Sequence, residues 1–313
     1  MKTYTEMRTA TGEMNYALNF WNKMKESYAN EFVLDEARNA NSGGYMFPGA
    51  TNEKYESAVK KYSVFGSIAN VMSKFGGPTN VFAYDSDPGA EFVPEYGDID
   101  VEDLAGDFTR HTIHNNKLAV IMRASLEFIH DASFDIEDYI VKRLAKAFAK
   151  AEDKAFISGT GENEPTGILD DTAGAETGAT ASAITFDSIV DLFFAVDKDY
   201  RKNGVWLMND KTALALRKLK DENGNYLWNH VIDTILGKPV LICNDMPDAD
   251  AGEKPVAFGD FSYYWIIRRS PVFIRTLVEK FAMNHQIGYF GYEFLDGMLI
   301  RRDAVKVLKV EAE

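Results

Sequence analysis

A chain of 313 residues, 46% hydrophobic and 13% aromatic, is long enough to bury one large core or two modest ones. Its formal charge of -14 excludes a protein built mainly to grip nucleic acid, because phosphate backbones are held by Lys and Arg, although a local basic patch stays open. The single cysteine, Cys243, excludes an internal disulfide, and five scattered His leave no zinc-type spacing; with no signal-peptide pattern and no apolar run near the ~20 residues of a membrane span, the composition reads as a soluble cytoplasmic product with no metal, no cofactor and no membrane partner.

Residues 1–40 are polar and patchy, and Met14, Leu18, Phe20, Trp21 and Met24 predict one short amphipathic helix before Asn30. So short a helix is marginal without a docking surface, so weak packing is expected. Asn41 to Pro48 reads as a turn into an extended strap, followed by the apolar anchors Val59, Tyr62 and Ile68 to Met72 on a partly irregular path. Asn80 to Tyr84 and Phe108 to Met122 read as strands, with Leu118, Val120 and Met122 alternating onto one face. Between them, Asp85, Asp87, Glu91, Glu95, Asp98, Asp100, Glu102, Asp103 and Asp107 stand in a segment without a Lys or Arg. A loop so long, acidic and poor in aliphatics does not bury itself on a monomer's core and is expected to project. It is either a solvated excursion or an arm whose carboxylates meet basic groups on a neighbouring subunit.

Ser133 to Leu169 organises the rest. Ile136, Ile140, Leu144, Ala147, Phe148, Ala151, Ala155 and Phe156 recur at three- and four-residue steps, which lays an apolar stripe along a helix predicted over 135–157. Asp135 caps its start, Glu137 and Asp138 suit the positive end of its dipole, and Gly159 and Gly161 stop it. Phe186 to Tyr200 is again helical, with Gly204 as terminator; Val205 to Met208 is a short strand, and Asn209 or Asp210 caps a further helix through Lys220. Pro239 to Cys243, Val256 to Phe258, Tyr263 to Arg268, Thr276 to Val278 and Ala304 to Val310 read as strands. Alternating helix and strand over 163–272 implies a compact mixed unit inserted between the long helix and the C-terminal strands.

Nothing in this pattern earns a catalytic assignment. GTGENEPTG follows a helix instead of opening one and lacks the Gly-Lys-Ser/Thr ending of a phosphate loop. His111 and His114, beside Arg110, have no Cys or carboxylate at ligand spacing and read as surface residues. Glu293 and Asp296 form an acid pair of the kind common on solvated faces, and no Ser, Cys or Thr stands in a G-x-S-x-G context. Tyr263, Tyr264 and Trp265 are read as core, Arg268 and Arg269 as interface residues, since Arg is enriched where subunits meet.

SGGYMFP at 42–48, EFVPEYGDI at 91–99, the run at 126–169, NGNYL at 223–227, LGKPV at 236–240 and GDFSYYWI at 259–266, in this order, resemble the major capsid proteins of tailed bacteriophages with the Hong Kong 97-type fold, from about residue 42 to the C-terminus. The resemblance implies an α+β fold: an N-terminal segment at 1–41, an N-terminal arm at 42–77 strapping a neighbour, an extended β-hairpin loop at 78–109, a peripheral domain at 110–162 and 273–313 with a spine helix, and an axial domain at 163–272. It implies a homo-oligomer of pentamers and hexamers, closing as a procapsid and expanding around double-stranded DNA held without sequence-specific binding. It also implies a separate scaffolding protein, because about 40 residues before the arm are too few for a built-in one, together with a portal and a maturation protease, and assembly in the host cytoplasm into a virion. Candidate inter-subunit contacts are Asp85, Asp87, Glu91, Glu95, Asp98, Asp100, Arg110, Arg268 and Arg269. Family members that crosslink use a loop Lys, an Asn and a Glu; Asn284 falls near the Asn position, but 85–107 lacks a Lys and Gly291 stands near the Glu position, so no isopeptide bond is expected. The competing readings are an encapsulin-type nanocompartment, which would show a cargo groove on its inner face, and an α/β enzyme, which would show a concave polar pocket.

Overall fold

The computed structural model describes residues 4–25, 34, 44–74, 79–84, 108–131, 135–220, 226, 228 and 233–311. Helix α1 (Tyr4–Met24) is longer than the apolar run predicts, and its last turns are packed while Met14 and Leu18 stay exposed. Phe20 and Met24 are fully buried, Tyr16 Oη donates to Met46 O at 2.5 Å, and Tyr289 Oη donates to Met24 O at 2.9 Å. The helix finds its docking surface in the segment read as an irregular strap. There, strand β1 (Tyr45–Met46) is followed by helix α2 (Gly49–Tyr62), whose Thr51, Tyr55 and Val59 are buried at four-residue steps. The described part of the strap is therefore a short strand and a helix packed on its own subunit, a correction to the extended, irregular path read there; one apolar residue per turn among polar ones was too sparse a signal for a helix.

Strands β2 (Asn70–Lys74), β3 (Thr79–Tyr84), β4 (Phe108–Ile113) and β5 (Asn116–Ser125) follow. β3 and β4 pair antiparallel from Thr79 opposite Ile113 to Tyr84 opposite Phe108 as a two-stranded ribbon, and the acidic segment that connects them lies outside the described residues. The strand read as 108–122 breaks at His114 and Asn115. Asp296 holds the break, accepting from His114 N at 2.6 Å and from Asn116 Nδ2 at 3.1 Å.

After helix α3 (Leu126–His130) comes the spine, helix α4 (Ile136–Ser158). Asp135 caps it, accepting from Asp138 N at 3.1 Å. Its buried face is two adjacent columns: Ile140 with Val141, Leu144 with Ala145, Phe148 with Ala149, Glu152 with Asp153, Phe156 with Ile157. Ala147, Ala151 and Ala155 lie off this face. The fourth level of the apolar columns thus carries two acids.

Beyond α4 run β6 (Glu176–Ala181), α5 (Phe186–Ala195), α6 (Lys198–Arg201), β7 (Val205–Met208), α7 (Asp210–Arg217), β8 (Thr234–Ile235), β9 (Lys238–Ile242), β10 (Val256–Gly259), β11 (Tyr264–Leu277), α8 (Val278–Phe281), β12 (Gln286–Leu299) and β13 (Val305–Val310). Thr185 and Ser188 form a capping box on α5, and Asn209 caps α7. One sheet has the order β1-β11-β12-β5, with β2 also on β11; the other runs β6-β13-β10-β7-β9-β8. Two expectations are corrected. Tyr263 to Arg268 is not a strand of the inserted unit but the start of the 14-residue β11, and Ala304 to Val310 joins the second sheet between β6 and β10 instead of completing the first. The 14-residue β12, paired along its length with β11 and β5, was missed because Gly288, Gly291 and Gly297 interrupt its pattern. Gly291 is where the spine comes closest: a Cβ there would stand 2.7 Å from Leu144 Cδ1.

Candidate functional site

Side chains alternate along β12, and the inward set Ile287, Tyr289, Glu293, Leu295 and Leu299 faces the buried cores. Glu293 thus enters the interior at the level where the spine presents Glu152, while β11 supplies Arg268 and α2 supplies Tyr55. Glu293 is 0% exposed, Glu152 1% and Arg268 6%. Arg268 Nη2 donates to Glu152 Oε2 at 2.6 Å, Arg268 Nε lies 3.8 Å from Glu293 Oε2, and Tyr55 Oη donates to Glu293 Oε2 at 3.0 Å. Four elements meet at one polar joint. Burial, then the nearby Glu152, holds the Glu293 carboxyl well above the ordinary carboxyl range. The same burial, with Glu293 and Glu152 beside it, pushes the Tyr55 phenol up.

This overturns two expectations. Arg268 is an internal cation rather than an inter-subunit contact, and Glu293 with Asp296 is no solvated pair. The missed signal is the register of Glu152 and Asp153 with the apolar pairs above and below them on α4. Asp153 pins the turn after α2, accepting from Ser63 Oγ at 2.6 Å and Val64 N at 2.8 Å. Burial raises the carboxyls of Asp153 and Asp296 despite their hydrogen bonds.

The opposite face of the first sheet is exposed along β5, where Lys117, Ala119, Ile121 and Arg123 point outward. Beside them run Phe290, Tyr292 and Phe294 of β12, with Lys117 Nζ 4.7 Å from the Tyr292 ring centre and the Arg269 guanidinium 5.7 Å from that of Phe294. Tyr292 is itself buried, but the half-buried Phe290 and Phe294 with the exposed Lys117 and Arg123 give this face the aromatic and cationic composition of a protein interface. Of the predicted contacts, Arg269 is half-buried on this face, Arg110 stands opposite Phe82 in the ribbon, and Asp85, Asp87, Glu91, Glu95, Asp98 and Asp100 lie outside the described residues. Asn284 lies in the exposed turn between β11 and β12, and Gly291 is buried against the spine.

Conventional chemistry finds little here. Burial pushes the Cys243 thiol up to about 11, far from a nucleophile's range. Among the described residues no group of three His, Cys, Asp or Glu stands close enough to hold a metal, and no helix is long and apolar enough to cross a membrane.

Comparison with known proteins gives one consistent answer. The model of the Phage capsid family matches residues 43–310. The capsid polyprotein of Pseudomonas phage PAJU2 is 31% identical over 159 residues, covering 47% of this chain and 23% of that protein. The probable major capsid protein of Mycobacterium phage D29 is 27% identical over 204 residues, covering 63% of each. The chain therefore spans under two thirds of either relative. Among solved structures, the capsid of an empty GTA particle computed with C5 symmetry superposes with a TM-score of 0.69 at 32% identity, over 80% of this chain and 90% of that one. Gordonia phage Cozz gives 0.56 at 16% identity over 80% and 87%, a likeness of fold.

Proposed function

We propose, from the premise that this chain belongs to the phage capsid family, that it is the major structural subunit of a phage head, many copies of which close into an icosahedral shell around double-stranded DNA. The observation that carries this reading is the match of the family model to nearly the whole chain together with the fold shared with a capsid of five-fold symmetry. It acts as a structural protein, and its product is geometry: weak contacts repeated by symmetry sum to a tight closed assembly. Pentamers and hexamers, a rounder procapsid that expands, a separate scaffolding protein, a portal, a maturation protease and assembly in the host cytoplasm complete the proposal. The first sheet with the spine is its peripheral domain, and the second sheet its axial domain.

Charge supports the contact we assign between copies. The acidic segment 85–107 of one copy lies over the basic, aromatic sheet face of another, where Lys117, Arg123 and Arg269 receive its carboxylates. Without a Lys in that segment the shell is held without isopeptide bonds. Sedimentation of the purified protein tests the reading. One fast, uniform boundary that dissociates in denaturant to single chains on a gel is expected, and Lys117→Glu with Arg123→Glu shifts it to small species. A stable small oligomer under all assembly conditions, with or without candidate scaffold, overturns it.

A further inference from the structure

Glu152 has a second neighbourhood, on the side of the joint away from α2. There it lines a half-open cavity of about 200 Å³ between the start of β5, the last turns of α4, the exit loop that follows them and β12. Leu118, Ala151, Ala155, Pro165 and Leu295 give the cavity apolar walls, and Asn116 and Glu164 stand half-buried at its polar edge. Glu152 itself is 1% exposed. Its Oε2 is taken by the Arg268 guanidinium at 2.6 Å, whereas Oε1 is buried with no hydrogen-bond partner in the chain. Two carboxylates, Glu152 and Glu293, share that one guanidinium, and a buried negative charge without its match is costly. Lys117 also borders the cavity, but its ammonium sits 4.7 Å from the Tyr292 ring centre, on the other face of the sheet.

The chemistry of the cavity selects its occupant. A neutral or anionic guest leaves the excess charge in place. A divalent metal needs several oxygen ligands, and among the described residues no group of three His, Cys, Asp or Glu stands close enough to hold one. A guanidinium binds best through two oxygens of one carboxylate, and Arg268 already holds one of those of Glu152. An ammonium is a compact point charge that needs one free oxygen, and its methylene stem suits apolar walls. The volume falls below the ~300–1,000 Å³ of pockets for drug-sized ligands, so the guest is small. We propose that this cavity is a binding site for one primary alkylammonium group, its nitrogen on Glu152 and its carbon stem against Leu118, Ala151, Ala155 and Leu295. The group is a free amine or the end of a lysine from a second copy. The site belongs to the single subunit and stands whether or not shells form.

The test titrates n-butylammonium chloride into the unassembled full chain at about pH 8, where the amine keeps its proton, and reads the methyl NMR signals of Leu118, Ala151, Ala155 and Leu295. Saturable shifts confined to these methyls are expected, with none from n-butanol or from sodium chloride at equal ionic strength. Glu152→Gln removes the charge and should weaken binding by about tenfold or more. Ala151→Leu, at an exposed helix position where leucine is well tolerated, keeps every charged group but fills the cavity and should abolish binding. Assembled particles separate the two sources. Continued binding there assigns a free amine, and loss of binding with a lysine side chain ending on Glu152 in a reconstruction assigns the second copy. Wild-type shifts that never saturate, or that n-butanol reproduces, overturn the proposal and leave water or a proton on Glu152. Undiminished binding in whichever variant folds overturns it equally.

Discussion

The two sheets solve the same burial problem in different ways. Behind the second sheet Ile189, Leu192, Val196, Met208, Phe258 and Leu308 surround Trp206, whose ring stacks on Phe258 at 4.1 Å, and the buried polar side chains there, Ser188, Asn209 and Thr212, are uncharged. Between the first sheet and the spine, aromatics and aliphatics share the space with Glu152, Asp153, Arg268, Glu293 and Asp296. Apolar contact is tolerant of small displacements, whereas a buried charge triad is satisfied in one arrangement and costly in others. The second sheet's packing is thus forgiving of small shifts, and the first sheet's depends on one arrangement of its buried charges. Their carboxylates also shift in opposite directions. Asp153, Glu293 and Asp296 are raised by burial, while near the second sheet Asp171 is lowered by the hydrogen bond from Lys254 and Asp248 by that from Lys211.

That contrast can be broken experimentally. Arg268→Met leaves two buried carboxylates without their cation and should cost about 3–5 kcal/mol by denaturant unfolding. Its cost should shrink as pH falls and the acids protonate, so an equal cost at pH 5 and pH 8 would remove the charge argument. Leu192→Ala in the apolar core should cost about 3 kcal/mol with no pH dependence. Asp153→Ala strips the acceptor from Ser63 and Val64 and should cost about 2 kcal/mol, read most sharply as lost exchange protection over residues 63–65. Asp135→Ala removes the spine's cap for about 1 kcal/mol. Lys54→Ala, breaking the 2.7 Å pair with Glu137 on the outer side of α2, should cost under about 0.5 kcal/mol because the lysine is largely exposed.

The pH profiles sharpen the comparison further. A raised folded-state pKa means stability that is full below the unfolded value and is lost as pH rises through the folded one; the first sheet should therefore loosen on the alkaline side. Lowered carboxyls such as Asp171 and Asp248 contribute above the usual 3.8 and lose that contribution as pH falls through their depressed values, but both pairs lie at the surface and are screened, so the second sheet should show only a slight loss on the acid side. Exchange protection resolved by sheet, from pH 3 to pH 9, separates the two slopes.

How much of this was legible depended on whether local pattern and tertiary role agreed. The spine was readable because its cap, its apolar steps and its glycine stop all point to one helix, and the ribbon around the acidic segment because alternation flanks a run that has no way to bury itself. The central strand β12 was hidden by its own packing: Gly288, Gly291 and Gly297 weaken a strand signal, yet they are where Phe281, Leu144 and Tyr264 press against the backbone. Helix α2 was hidden because its buried stripe is one residue wide. The charge joint was invisible for a different reason: Tyr55, Glu152, Arg268 and Glu293 come from four elements, and only the register between α4 and β12 brings them together. Arg268, which reads as an interface residue by composition, is spent internally. Arg269, its neighbour on the other side of the same strand, keeps the outward face.

The central claim is that one copy is unfinished without another. An electron-microscopy reconstruction of the purified, assembled protein tests it most directly at residues 85–107. Closed particles of uniform diameter should show that segment as continuous density over Lys117, Arg123 and Arg269 of a second subunit. Monomers or small oligomers in which it folds back on its own subunit would contradict the account.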